Sequence, residues 1–129
     1  MKNKMIIRSG VDLVELSRLR KLNPAIREKF IARVYTPEEQ RILGSDWDEL
    51  TGRFAAKEAV SKALGTGIGK VRWQDIEILR GQWGAPILHL HGLAKQVADH
   101  LRLTEWSVSI SHSRSQAVAV AVAIGEASD

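Results

Sequence analysis

The chain contains no cysteine among its 129 residues, so it cannot form a disulfide scaffold or use a thiol as a nucleophile. Aromatic residues make up only 5% of the sequence, and the basic N-terminal third contains just Phe30 and Tyr35, which argues against an aromatic RNA-binding strand. No apolar run approaches the roughly 20 residues that a membrane helix requires. We therefore expect no membrane contact and a cytoplasmic location.

The composition that is present is that of a globular protein with an uneven distribution of charge. A hydrophobic fraction of 44% and a length of 129 residues suffice for a core, so we expect a single domain over residues 1–129. The formal charge is +4, and six cations are concentrated in the N-terminal third: Arg18, Arg20, Lys21, Arg27, Lys29 and Arg33. This asymmetry predicts an acidic partner, either a nucleic acid or an acidic protein surface.

Hydrophobic periodicity and turn signals predict a mixture of helices and strands. Strands are expected near residues 5–11, 76–79, 86–91, 106–111 and 117–124, and helices near residues 13–22, 25–33, 37–43, 49–64 and 93–101. The segment Thr36-Pro37-Glu38-Glu39 is a strong helix start, since it combines an N-cap threonine, an early proline and a capping-box glutamate. Asp12 is predicted to lie where the first strand ends, and residues 126–129 are predicted to fray. The last strand alternates alanine with valine and isoleucine, which predicts burial of both its faces.

The long predicted helix carries one carboxylate and three cations in its central part. Glu58 and Lys62 are four residues apart and must project together, whereas Arg53 and Lys57 form a second pair on another side; Gly65 follows as a C-terminal stop. An acid beside an amine suits a divalent cation that neutralises a phosphate, with the lysine on a second phosphate oxygen. A solvated ion pair on an amphipathic helix is the alternative.

Three motifs together resemble those of holo-acyl-carrier-protein synthases, the small single-domain type of 4′-phosphopantetheinyl transferase. They are Gly10-Val11-Asp12-Leu13-Val14-Glu15-Leu16-Ser17-Arg18, the helix segment with Arg53, Lys57, Glu58 and Lys62, and Ser109-Ile110-Ser111-His112-Ser113. Their order and spacing agree with the family from about residue 6 to residue 124. Any one of these motifs alone would carry almost no weight.

The resemblance implies a magnesium-dependent transfer of the 4′-phosphopantetheine arm from coenzyme A to a serine of an apo acyl carrier protein, with release of adenosine 3′,5′-bisphosphate. By motif position, Asp12 and Glu58 are the expected magnesium ligands, and Glu58 and Lys62 are the expected catalytic residues. The serine proton is expected to pass to Glu58 or to a water held by the magnesium and Glu58. The residues expected to contact coenzyme A are Arg53, Lys57, Lys62, Gly65 and His112. For Arg53 and Lys57 the alternatives are contacts to neighbouring backbone or a solvated face, and for His112 a structural role.

The same resemblance implies an α+β fold, in which an antiparallel sheet packs on the long central helix. It also implies a homotrimer whose active sites are shared between adjacent subunits. Arg18, Lys21 and Arg27 are expected to dock the acidic recognition helix of the carrier, which would explain the local excess of positive charge. No nucleic acid is then expected as a partner.

The sequence departs from the family at several positions. Arg8 stands where the family has a glycine, so a close backbone approach there is in doubt. Trp83 and Ala85 replace a small polar and a basic residue in the predicted hairpin turn, which questions a phosphate contact and makes Trp83 a candidate to stack on adenine. His89 and His91 share a strand face, but the sequence offers no third metal ligand near them.

Two other functions compete with this interpretation. The first is a basic, noncatalytic module that binds RNA or an acidic protein, in which Asp12 and Glu58 merely balance charge. The second is a related transferase that modifies the carrier region of a larger synthase. Magnesium-dependent modification of a carrier distinguishes an enzyme from a binding module, and a panel of carriers distinguishes the two transferases.

Overall fold

The computed structural model describes residues 3–128, which form five α-helices, two short 3-10 helices and two antiparallel sheets. The elements are β1 (Asn3–Glu15), α1 (Leu16–Arg20), α2 (Pro24–Val34), α3 (Pro37–Leu43), α4 (Trp47–Leu64), β2 (Ile76–Arg80), β3 (Pro86–Leu90), α5 (Gly92–His100), β4 (Leu103–His112) and β5 (Gln116–Ser128). One sheet has the strand order β1-β5-β4, and the other is the β2-β3 hairpin. This arrangement confirms the predicted α+β class.

Helix α4 occupies the centre of the fold because small side chains let the larger sheet approach it closely. Its alanines at 55, 56, 59 and 63 and the alternate alanines of β5 at 117, 119, 121 and 123 are all buried in the same core. Gly10 of β1 is essential to this contact, since a Cβ there would lie 1.9 Å from the carbonyl oxygen of Ala59. The backbone of β1 therefore lies directly against α4.

Both ends of α4 have local signals that the sequence carries. The Asp46 side chain accepts hydrogen bonds from the backbone N–H groups of Asp48 and Glu49, at 3.1 and 3.2 Å. Gly65 ends the helix in the left-handed region with φ of +80°, where glycine has no steric penalty. The helix therefore begins at Trp47, slightly before the predicted start at Glu49.

Three sequence predictions about element boundaries are wrong. Strand β1 continues to Glu15 because each of its residues pairs with β5, so Asp12 lies within the strand, opposite Ala119, rather than at its end. The following helix α1 is correspondingly short. Strand β5 extends to Ser128, so residues 126–128 are not a frayed tail; Asp129 lies outside the described residues.

The two faces of the β1-β5-β4 sheet differ in burial. The alanine face of β5 packs on α4, whereas Val120, Val122 and Ile124 on its other face are each more than a third exposed. The predicted burial of both faces is therefore not observed within a single chain. Neighbouring apolar residues of β1 extend the exposed surface: Met5, Ile7, Val11 and Leu13. Among residues 3–128, no helix is both long and apolar enough to cross a membrane.

Candidate active site

The fold brings together the three residues that the sequence predicted as metal-binding or catalytic. Asp12 lies on the β1 face that packs on α4, and Glu58 and Lys62 occupy successive turns of that helix. The Nζ atom of Lys62 donates to Asp12 Oδ1 at 3.1 Å and to the carbonyl oxygen of Val11 at 3.0 Å. The negative charge of Asp12 also acts on Glu58. We call Asp12, Glu58 and Lys62 the carboxylate site.

Glu58 is held in an environment that disfavours its charged form. Partial burial is the main cause that raises the pKa of Glu58, and the negative charge of Asp12 raises it further. The positive charges of Lys62 and Arg18 oppose this shift without cancelling it. A cation would bind favourably beside Glu58, because it would offset the burial and the neighbouring negative charge that disfavour this carboxylate.

The donor set of the carboxylate site fits magnesium better than a metal enclosed only by protein ligands. Within residues 3–128, no group of three or more histidine, aspartate or glutamate side chains is arranged to hold a metal ion. Magnesium commonly binds one or two carboxylates and completes its octahedron with water and substrate phosphate oxygens. The ammonium group of Lys62 is the cation that lies against Asp12 in this structure.

A second set of predicted residues lines a cleft of about 270 Å³ between α4, the β2-β3 turn and the end of β4. Arg53, Arg80 and His112 supply three basic side chains to this cleft, and Gly84 and Pro86 form its edge at the turn. We call this cleft the basic cleft. Asp48 and Glu49 line the cleft as well, and Glu49 Oε2 accepts from Arg53 and lies 3.9 Å from Arg80 Nη2, so its bases are accompanied by acids.

Arg53 has unused hydrogen-bonding capacity in the basic cleft. The relative exposure of Arg53 is only 5%, and its Nη1 atom donates to Glu49 Oε2 at 2.8 Å. Its Nε and Nη2 atoms are buried without a partner among the described residues. Burial accordingly lowers the pKa of Arg53, while the charge of Glu49 opposes that change. Buried donors without partners are rare in folded proteins and point to a ligand or water that would satisfy them.

The carboxylate site and the basic cleft do not share a side of α4. Arg53 and Glu58 are five residues apart, which separates them by about 140° around the helix axis. A larger cleft of about 350 Å³ near Arg72 and Trp73 contains none of the predicted site residues. The chain therefore presents two halves of the predicted site on different surfaces.

Lys57 is the one predicted coenzyme A contact that the structure contradicts. Its side chain has a relative exposure of 0%, and its Nζ atom donates to Glu39 Oε1 at 2.7 Å. The same atom donates to the carbonyl oxygens of Trp73 and Ile76, at 3.1 and 2.6 Å. An ammonium group has three protons, so none remains for a phosphate. Lys57 binds backbone and a buried carboxylate, and the alternative of a solvated face is also wrong.

The three predicted carrier-docking residues differ in exposure and in the contacts they make. Arg18 is exposed and its guanidinium lies 5.5 Å from the Phe54 ring centre, and Lys21 is also exposed. Arg27 is partly buried, lies 4.8 Å from the Trp47 ring centre, and donates through Nη2 to backbone carbonyls of the α1–α2 segment. Docking by these residues stays a prediction.

Sequence reasoning missed several residues of these two regions. No sequence motif pointed to Arg80, which reaches the basic cleft because β2 pairs with β3. Glu39 was recognised as a capping-box residue, but its bond to Lys57 was not foreseen. Trp83 lies at the tip of the hairpin turn and is 94% exposed. Its stacking on adenine stays a prediction. His91 bonds Glu77 at 3.0 Å, and the histidine pair forms no metal-binding group with other described residues.

Comparisons with known proteins agree with the resemblance read from the motifs. Residues 8–123 match the model of the 4′-phosphopantetheinyl transferase superfamily. A holo-[acyl-carrier-protein] synthase of Natranaerobius thermophilus is 46% identical over 109 residues, which cover 82% of this chain and 87% of that protein.

Two solved structures of such synthases resemble the fold. The Helicobacter pylori enzyme, solved in complex with coenzyme A, has a TM-score of 0.81 and 35% identity over 89% of this chain and 98% of that one. The Bacillus anthracis enzyme, in complex with coenzyme A (3′,5′-ADP), has a TM-score of 0.75 and 39% identity over 97% of this chain and all of that one. The resemblance is thereby confirmed, and the chain belongs to the holo-[acyl-carrier-protein] synthase family of 4′-phosphopantetheinyl transferases.

Proposed function

We propose that this enzyme transfers the 4′-phosphopantetheine arm of coenzyme A to a serine of an apo acyl carrier protein and depends on magnesium. The observation that carries this proposal is the convergence of Asp12, Glu58 and Lys62 from two distant parts of the chain. Family membership supplies the reaction class, and the related proteins named above carry the corresponding activity in their names. We also propose that residues 1–129 act as one domain.

The chemistry is a phosphoryl transfer in which one P–O bond forms and another breaks. The serine oxygen attacks the phosphorus that bears the pantetheine arm, and the bond from that phosphorus to the bridging oxygen breaks. The leaving group is adenosine 3′,5′-bisphosphate. Charge grows on the bridging oxygen and the leaving group, so positioned cations supply much of the catalysis. Lys62 would donate to a phosphate oxygen as a point charge.

Glu58 is the proposed acceptor of the serine proton, either directly or through a water that it orients. A carboxylate is a better general base when its pKa approaches the working pH, and burial together with Asp12 raises the pKa of Glu58 in that direction. Asp12 and Glu58 would also hold magnesium. When bound there, magnesium would neutralise the diphosphate and stabilise the charge that develops on it.

The basic cleft is the proposed site for the extra phosphate and the adenosine part of coenzyme A. The free donors of Arg53 and the imidazole of His112 suit a phosphate, and Trp83 at the adjoining turn is proposed to stack on the adenine. Gly65 is proposed to contact coenzyme A at the end of α4. Because the cleft and the carboxylate site face different sides of α4, one coenzyme A would reach both only if adjacent subunits contribute one half each.

A homotrimer is the proposed assembly that would join these halves. The exposed apolar face of the β1-β5-β4 sheet supports this, since Ile7 and Leu13 are more than half exposed within a single chain. A second surface supports the proposed carrier interaction. Arg18 is near enough to Glu58 for its charge to act on it, Lys21 is exposed at the end of α1, and both would attract an acidic helix.

The experiment is incubation of the protein with coenzyme A, magnesium and an apo carrier, followed by mass measurement of the carrier. We expect the mass of the arm to be added, and Asp12→Asn and Glu58→Gln each to lower the rate by at least about a hundredfold, the scale of losing one preorganised charge-stabilising group. Asp99→Asn, an exposed aspartate on α5, is the matched control. Full activity in either site variant would overturn the assignment.

Two outcomes of the same assay identify the competing functions. A noncatalytic binding module would add no mass and could instead retard RNA in a salt-dependent way. A transferase specific for a larger synthase would modify that carrier region but not a free acyl carrier protein.

A further inference from the structure

Arg8 links β1 to the C-terminal end of α4. Its Nε atom donates to the carbonyl oxygen of Ala63, and its guanidinium lies along one side of the exposed Gly65, where an added Cβ would lie 2.7 Å from Nη2. The side chain is partly buried. A cation at the C-terminal end of a helix can donate to a terminal carbonyl oxygen, and it interacts favourably with the helix dipole.

The contact between Arg8 and α4 is one of three along the crossing of strand and helix. Arg8 meets Ala63 and Gly65, Gly10 lies against Ala59, and Asp12 meets the Lys62 ammonium beside Glu58. Ile6 and Val14 of β1 also pack in the core, and every described residue of β1 pairs with β5. The two outer contacts, those of Arg8 and Asp12, are the ones made by side-chain hydrogen bonds.

One of these outer contacts conflicts with the reaction. The bond from Lys62 to Asp12 uses the same carboxylate that would hold magnesium and the same ammonium that would contact a phosphate. That bond would therefore be weakened or lost during turnover, on the proposed function described above. The bond from Arg8 to Ala63 involves no group of the carboxylate site and persists.

We propose that Arg8 is a positioning residue that fixes Asp12 relative to Glu58 for magnesium binding. This inference depends on the proposed function. Magnesium requires near-ideal octahedral geometry at about 2.0–2.1 Å, so a small slip of β1 along α4 would misplace one of its two carboxylates.

The test is calorimetric titration of magnesium into the protein with coenzyme A and no carrier, which measures binding without turnover. We expect Arg8→Met to weaken magnesium binding by about tenfold, the usual scale for losing a residue that orients metal ligands. Arg8→Lys keeps a long cationic donor and should lie between Arg8→Met and the parent protein. The sign of the change is diagnostic, because removal of a nearby positive charge would by itself strengthen cation binding.

Gln74→Met is the matched control. The Nε2 atom of Gln74 donates to the carbonyl oxygen of Ala32 at 2.8 Å, near the end of α2 and away from the carboxylate site. This variant should lower the melting temperature and leave magnesium affinity unchanged. If Arg8→Met behaves in the same way, Arg8 is only a helix cap and the proposal is wrong. If the parent protein binds no magnesium, both this inference and the proposed function fail; if Arg8→Met does not fold, Arg8→Lys decides.

Discussion

At the scale of single residues, the environment of Glu58 suits both of the roles proposed for it. Burial and the charge of Asp12 destabilise its ionised form, so the group gains from a bound cation and accepts a proton more readily than an exposed glutamate. The opposing charges of Lys62 and Arg18 keep this effect moderate. A single residue can thus carry both proposed roles because its environment is unfavourable in the metal-free protein.

The raised pKa of Glu58 leads to a stability prediction whose sign can be worked out. A carboxyl whose pKa is raised on folding favours the folded state below the ordinary carboxyl pKa of about 4.3, and this advantage is lost as pH rises through the folded pKa. In the metal-free protein at pH 7.5, Glu58→Gln should therefore have the higher melting temperature, and the difference should shrink at pH 4. Magnesium with coenzyme A should raise the melting temperature of the parent protein more than that of the variant. Equal melting temperatures at pH 7.5 without metal would contradict the assigned shift.

At the scale of secondary-structure elements, a buried ion pair joins α3, α4 and β2. Glu39 accepts from Lys57 through Oε1 at 2.7 Å and from the backbone N–H of Ile78 through Oε2 at 2.8 Å. Thr36, the N-cap of α3, donates its N–H to Oε1 at 2.8 Å. Burial lowers the pKa of Lys57, and the Glu39 charge opposes this change. The pair holds α4 in a fixed orientation immediately before Glu58.

Removing one partner of the buried pair should cost far more stability than removing one partner of an exposed pair of the same length, because the remaining charge would stay buried without its counter-charge. Lys95 and Asp99 on α5 are also 2.7 Å apart, but more than half of each side chain is exposed. Glu39→Gln leaves Lys57 without its counter-charge and should lower the free energy of unfolding by about 3–5 kcal/mol. Asp99→Asn should cost about 0.5 kcal/mol or less. Urea denaturation at pH 7 measures both, and similar costs would show that Lys57 is not a buried charge.

The elements also show which features the sequence could predict. Helix α3 was predicted correctly because its N-cap threonine, proline and glutamate are consecutive, and the structure contains that capping box. The bond from Glu39 to Lys57 could not be predicted, since no local pattern brings their two helices together. The predicted position of Asp12, at the end of the first strand, was wrong for a related reason. Only the β5 partner, from the other end of the chain, extends β1 beyond Val11.

At the scale of the whole molecule, the sheet leaves an apolar face that one chain does not cover. Its exposed residues include Val120, Val122 and Ile124 in the central strand of the sheet, with Ile7 and Val11 beside them. Exposed apolar patches of this kind mark interaction surfaces, and the proposed occupants are further copies of the chain. The opposite surface of the sheet is already used by α4. In the proposed homotrimer, assembly through this face would have to bring the basic cleft of one subunit to the carboxylate site of another.

If active sites are shared between subunits, a mixture of two inactive variants should recover activity, which independent sites would not allow. Glu58→Gln disables the carboxylate site, and His112→Ala disables the basic cleft, so each variant alone should be inactive or nearly so. Unfolded together at equal concentration and refolded, they should regain activity, because some sites combine an intact Glu58 with an intact His112 from a neighbour. Random mixing would make about one quarter of the sites complete. Light scattering on the same sample would measure the number of subunits. A mixture no more active than its two components would show that each chain uses its own Glu58 and His112, or that His112 is not part of the site.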